Sequence, residues 1–108
     1  MDKAELNKRI AAGNFIENNG YVLRAVNMLK TKFNKLSTIR FAVPDADKPD
    51  IEKSVNYLYE AGYLHLRHIH SKRPTSLADT DFEMLEAKLT AKGIQLLAGI
   101  IQDECVEV

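Results

Sequence analysis

Residues 65–74 read HLRHIHSKRP, and all three histidines of the chain fall in this stretch beside two arginines and a lysine. Such residues serve three chemistries: imidazole ligation of a metal, donation to phosphate oxygens, and plain charge on a sheet edge. On a strand, side chains alternate, so His68 and His70 share one face while His65 joins Arg67 on the other. A closed zinc site needs about four ligands. The lone cysteine, Cys105, is distant in sequence, and Arg67 and Lys72 repel a cation, so no metal and no cofactor is expected. Arg67, His68, His70, Lys72 and Arg73 are instead suited to phosphate, whose oxygens accept from such side chains with release of counterions. The plainer alternative is a charged edge that blocks pairing with another sheet.

Other polar groups add to this picture. Lys53, Ser54 and Asn56 fall at outward positions of a helix that starts near residue 50, where they can reach bases or phosphates. Asp50 and Glu60 on the same helix repel phosphate, and Asp47 and Asp50 occupy its positive end. Lys32, Lys35 and Arg40 can clamp one backbone strand, or form an ordinary solvated face. Cys105 has Glu104 and Glu107 beside it, which disfavours the reactive thiolate. Asp79 and Asp81 lie in a polar loop, where exposed pairing with Lys72 and Arg73 is worth little. The chain has no glycine-rich phosphate loop, no G-x-S-x-G and no metalloprotease motif, so no catalytic residues and no enzyme are expected.

These residues must be positioned by a small chain. Its 108 residues, 45% hydrophobic and 28% charged, suit one domain with a core of its own. No apolar run approaches the length of a membrane span, and the polar start MDKAELNKRI is unlike a signal peptide. One cysteine permits no internal disulfide, so a cytoplasmic location is expected. The net formal charge is zero, but residues 1–40 carry +5, 41–60 carry −3, 61–73 carry +3 and 74–108 carry −5. A surface for nucleic acid must therefore be a local patch.

Residues 3–12 predict a short amphipathic helix with Leu6 and Ile10 four apart, stopped at Gly13 and followed by the turn-rich NFIENNG. Val22, Val26, Leu29 and Phe33 predict a second helix over 21–33, which Asn34 ends. Ser37 caps a short helix before Pro44. Asp47 caps the next, with Pro49 at its first position and Ile51, Val55, Leu58 and Ala61 on its buried side. Gly62 ends it. The period then changes to that of strands at 63–70 and 82–89, with Leu64 and Leu66, and Leu85, Ala87 and Leu89, on the inner faces. They predict an antiparallel hairpin with a long connection. Thr90 caps a final helix over 91–104 with Ile94, Leu97 and Ile101 buried.

The order is that of an α+β winged helix-turn-helix: three helices, a two-stranded wing and a C-terminal helix. SVNYLYEAGYLHLR resembles a winged-helix third helix running into the first wing strand. AKLTAKGIQLL resembles the second wing strand entering the closing helix through an L-T-x-K-G-x-x-x-L phrase. LLAGIIQDECVEV is similar to the ends of short winged-helix proteins carried by Mu-like phages and prophages. The resemblance covers roughly residues 20–104 of a single domain over 1–108, preceded by an N-terminal helix and turn over 1–19 and followed by a tail over 105–108. LSTIRFAVPDADKPD departs from the compact, Ala-rich second helix of typical regulators. The resemblance implies a DNA-binding transcriptional regulator that contacts double-stranded DNA through Lys32, Lys35, Arg40, Lys53, Ser54, Asn56, Arg67, His70, Lys72 and Arg73. It also implies a homodimer, for which Ile100, off the central stripe, can face a second copy. The alternative is a module for protein contact, whose basic patches meet an acidic protein partner.

Overall fold

The computed structural model describes residues 2–43 and 45–108. The described residues form an α+β fold of four α-helices and one antiparallel sheet of three strands. Helix α1 spans Lys3–Val26, strand β1 Asn34–Lys35, α2 Leu36–Ala42, α3 Lys48–Glu60, β2 Leu64–His68, β3 Leu85–Leu89 and α4 Ala91–Leu97. The strand order is β1-β3-β2.

The expected helix 3–12, its stop at Gly13 and the turn NFIENNG are replaced by one continuous α1. Asp2 caps it, its carboxylate accepting from the Glu5 N–H at 2.7 Å. Asn19 and Gly20 of the stretch that read as a turn serve the C-terminal segment instead. Asn19 donates through Nδ2 to the Cys105 carbonyl at 2.9 Å, and the Glu107 N–H donates to the Ile16 carbonyl at 3.3 Å. A Cβ on Gly20 would lie 1.7 Å from the Glu107 carbonyl oxygen, so this glycine marks a close backbone approach rather than a break. Asp2 and residues 3–14 of α1 are exposed, with Leu6 and Ile10 unburied.

Helix α1 ends at Val26 rather than 33, and Asn27–Leu29 form a 3-10 turn. Asn34 does not end a helix but lies buried in β1, donating through Nδ2 to the Val26 carbonyl at 2.7 Å. That bond satisfies one of the carbonyls a helix end leaves unpaired. Leu29 is accordingly half exposed, and Leu23 and Ala25 join Val22 and Val26 in the core. Helix α2 begins after Lys35, so Ser37 lies inside it and is no cap. Pro44 lies outside the described residues.

Asp47 caps α3 as expected, accepting from the Asp50 N–H at 3.0 Å. Lys48 takes the first helical position and Pro49 the second. Ile51, Val55 and Leu58 are fully buried. Gly62, at φ +87, lets the chain reverse into β2, a left-handed conformation that costs glycine no Cβ clash. The Tyr63 N–H then reaches back to the Leu58 carbonyl at 2.9 Å.

The two long strands pair antiparallel, Leu64 opposite Leu89, Leu66 opposite Ala87 and His68 opposite Leu85. Their inner faces are buried as predicted. The second strand is shorter than expected, because Phe82–Met84 form a 3-10 turn with Phe82 buried. Beyond β2, residues 69–72 turn, and the return segment runs back along the free edge of β2. The His68 N–H donates to the Arg73 carbonyl at 2.9 Å, and the Thr75 N–H to the Leu66 carbonyl at 3.2 Å.

Helix α4 is two turns long and stops at Ala98–Gly99, with Gly99 at φ +79. Ile94 is exposed, against expectation; Leu97 and Ile101 pack half-buried against the core as expected, and Leu96 is fully buried in it. From there the chain folds back onto α1 and α3. Asp103 Oδ2 accepts from the hydroxyls of Tyr57 at 2.8 Å and Tyr63 at 2.7 Å, while Oδ1 accepts from the Cys105 N–H at 2.8 Å. Burial and the Asp103 carboxylate push the Tyr63 hydroxyl up to about 12 and raise that of Tyr57 as well, so both remain donors. Val106 is buried, and Arg24 donates to the Glu107 carbonyl at 3.2 Å.

Gly20→Ala should therefore displace the C-terminal segment from α1 and lower stability by about 1–3 kcal/mol, the range for forcing an atom into a packed site. Gly13→Ala, where a Cβ meets nothing within 4 Å, should instead raise helix content. Urea denaturation and far-ultraviolet circular dichroism of the two variants check both expectations.

Candidate nucleic-acid interface

Residues directly opposite in an antiparallel pair point to the same side of the sheet. Leu64, Leu66, Leu85, Ala87 and Leu89 take the core side. The other side is therefore set by two cross-strand rows. Lys35 of β1 lies opposite Glu86 of β3, which lies opposite Arg67 of β2, and one pleat along Lys88 lies opposite His65. Lys72, from the turn after β2, reaches onto the same face.

Glu86 organises this face. Its Oε1 accepts from Arg67 Nε at 2.9 Å and from Lys72 Nζ at 2.8 Å, and its side chain is only 8% exposed. Burial opposes its ionisation, but the Lys72 and Arg67 hydrogen bonds and charges outweigh that, and the carboxyl titrates below its usual range. The Arg67 Cζ also lies over the Phe33 ring, 3.6 Å from its centroid. Two constraints, a stacked ring and a buried carboxylate, thus fix its direction. Lys35, Arg67, Lys72 and Lys88 around one carboxylate leave this face at +3.

The ten residues expected to meet DNA divide between places. Lys35, Arg67 and Lys72 meet on the open face of the sheet, with Arg67 and Lys72 tied to Glu86 rather than free. Arg73 and His70 are exposed at the turn that follows β2. Lys32 is exposed in the segment leading to β1, and Arg40 is exposed in the last turn of α2. Lys53 and Asn56 are exposed on α3, where the Lys53 ammonium sits 5.3 Å from the Phe15 ring centroid. Ser54 is a correction: it is fully buried on the core side of α3, its hydroxyl without a hydrogen-bond partner among the described residues. The expected outward phase of α3 fails there because α1 packs along the flank that carries Ser54 and Tyr57.

His70 lies beyond β2, which ends at His68, yet the two rings come together with their centroids 5.7 Å apart. His68 Nδ1 accepts from the N–H groups of His70 and Ser71 at 3.1 and 3.3 Å, bracing the turn. Among the described residues no group of three or more His, Cys, Asp or Glu converges. Asp79 and Asp81 are exposed, as loop residues; the alternative pairing with Lys72 and Arg73 is not seen among the described residues, where Lys72 is held by Glu86. Sequence reading missed Phe33, Glu86 and Lys88. Glu86 and Lys88 carry a signal, alternating with Leu85, Ala87 and Leu89, whereas Phe33 reads as the end of a helical stripe.

Helix α3 has the opposite charge. Asp47, Asp50, Glu52 and Glu60 face two lysines, of which Lys48 is bound to Glu83 at 2.6 Å. The Lys48 ammonium, helped by the charge of Arg40, holds Glu83 below the usual carboxylate range. Among the described residues no helix is long and apolar enough to cross a membrane.

Ser54→Ala should raise stability by about 1 kcal/mol, since it removes a buried unpaired hydroxyl, and equilibrium urea unfolding measures this directly. The pH dependence follows from Glu86 and Asp103. Partial burial opposes the ionisation of Asp103 as well, but the Tyr63, Cys105 N–H and Tyr57 hydrogen bonds hold its carboxyl low. Both carboxyls are depressed in the folded state. Their contribution is complete above the ordinary values of 4.5 and 3.8 and is lost as pH falls through the lower folded values. The urea midpoint should decline on acidification below those ordinary values, and less steeply in Glu86→Gln, Asp103→Asn. Comparison of the chain with protein-family models, with curated proteins and with solved structures gave no match.

Proposed function

We propose that the protein is a winged-helix DNA-binding protein, a small regulator of the kind carried by phages and prophages. The element order α1-β1-α2-α3-β2-β3, closed by a β1-β3-β2 sheet, supports the fold. In that reading α2 and α3 form the helix-turn-helix, and β2, β3 and the turn between them form the wing. The observation that carries DNA binding is the gathering of cations at this wing and its sheet, in a chain whose net charge is zero. Phosphate contact gives affinity without requiring base readout.

A second reading, contact with another protein, is favoured by one observation. The helix that would enter the groove has an excess of carboxylates, and only Lys53 and Asn56 of its expected contacts remain exposed. Cys105, by contrast, takes part through its backbone in anchoring the C-terminal segment.

Titration of a labelled random duplex separates the two. With about four phosphates neutralised, affinity should fall roughly 100-fold between 50 and 200 mM salt. Absence of binding at the lower salt sinks the DNA reading and leaves protein contact. Arg73→Ala should weaken binding without loss of stability, because Arg73 holds no ion pair among the described residues.

A further inference from the structure

We infer that duplex DNA lies against the open face of the sheet, held by Lys35, Arg67, Lys72 and Lys88 through its backbone alone, and that α3 makes no contact with it. This assignment rests on the DNA reading above and gives it a surface and a mode. Three observations lead to it. The first is geometric. The helices pack on the inner side of the sheet, against Leu64, Leu66, Leu85, Ala87 and Leu89. A straight duplex against the outer side therefore does not reach α3.

The second is electrostatic. The outer face is +3, while α3 and its cap hold four carboxylates against two lysines. Phosphate is drawn to the one and repelled by the other. Strands lie about 4.8 Å apart, so Lys35 and Arg67, two strands from each other, are separated by about 10 Å, which measured along the helix axis corresponds to about three base-pair steps.

The third is the state of Arg67. Its Nε is held by Glu86 and its Cζ rests over the Phe33 ring, while its two Nη groups have no hydrogen-bond partner among the described residues. A guanidinium fork fixed in this way is ready for a phosphate, with little side-chain freedom left to lose. Glu86 and Phe33 are its positioning residues. The same stacking distinguishes duplex from single strands. Proteins that hold unpaired bases offer open aromatic rings to stack on, and here the ring of Phe33 is covered by Arg67. What remains is a set of cations suited to a phosphate backbone.

The side chains of Lys35 and Lys88 make no hydrogen bond or ion pair among the described residues, so replacing them tests the face without disturbing the fold. The experiment compares the unaltered protein, Lys35→Ala/Lys88→Ala and Lys53→Ala/Asn56→Ala on one random duplex across a salt series. Circular dichroism confirms that each is folded. The sheet-face pair should lose affinity at low salt and lower the log–log salt slope by about 2, one for each phosphate contact. The α3 pair should match the unaltered protein in both. Loss of binding in the α3 pair, with the sheet-face pair unchanged, overturns the assignment while leaving DNA binding intact. Failure of the unaltered protein to bind duplex overturns the DNA reading itself. Polyglutamate is the remaining arm: binding to it in preference to duplex, abolished in Lys35→Ala/Lys88→Ala, overturns the inference in favour of an acidic protein partner on the same face.

Discussion

Strand β3 is paired on both edges, and the register of those pairs governs the rest of the molecule. Side chains alternate along a strand, so a slip of one residue would exchange its faces. In the observed register Leu85, Ala87 and Leu89 enter the core beneath α1 and α2, and Glu86 and Lys88 turn outward. The same register sets Lys35 and Arg67 on either side of Glu86. The core and the charged face are therefore two consequences of one set of backbone hydrogen bonds. The burial of three apolar side chains on β3 holds that register against alternatives.

The charged face has its own logic. A buried carboxylate is costly unless paired and hydrogen-bonded, and Glu86 is paired twice. Removing either cation would leave the carboxylate short of partners. Removing the carboxylate would leave cations crowded on one plate. One negative charge orients two positive ones, and the side chains of Lys35 and Lys88 beside them hold no ion pair among the described residues. Four residues from three strands and a turn are brought together that share no sequence motif.

The C-terminal segment shows how a polar group can act as part of the core. Asp103 joins Tyr57 of α3 to Tyr63 at the start of β2, and beyond it Cys105, Val106 and Glu107 lie along α1. This segment reads as an acidic continuation of a helix. Its carboxylates instead serve different ends: Asp103 accepts three hydrogen bonds, while Glu104 is exposed. Gly20 and Asn19 are explained only by what lies across from them. Read locally they break a helix; in place they let the C-terminal backbone approach one.

The sequence by itself determined those features that depend on short-range physics. The Asp47 cap, the stripe Ile51, Val55, Leu58, the reversal at Gly62, the inner faces of β2 and β3 and the Thr90 cap are all legible, because each is set by residues within a few positions of one another. Part of the site was legible for the same reason: Lys35, Arg67 and Lys72 stand out by type alone. Tertiary structure decided the rest. It made one helix of residues 3–26, shortened the last helix at Gly99, formed the two-residue β1 and turned Ser54 inward. It also joined Arg67 to Glu86 and Phe33. Each of these depends on a partner far along the chain, and a local pattern holds no record of which distant backbone or side chain will arrive to complete it.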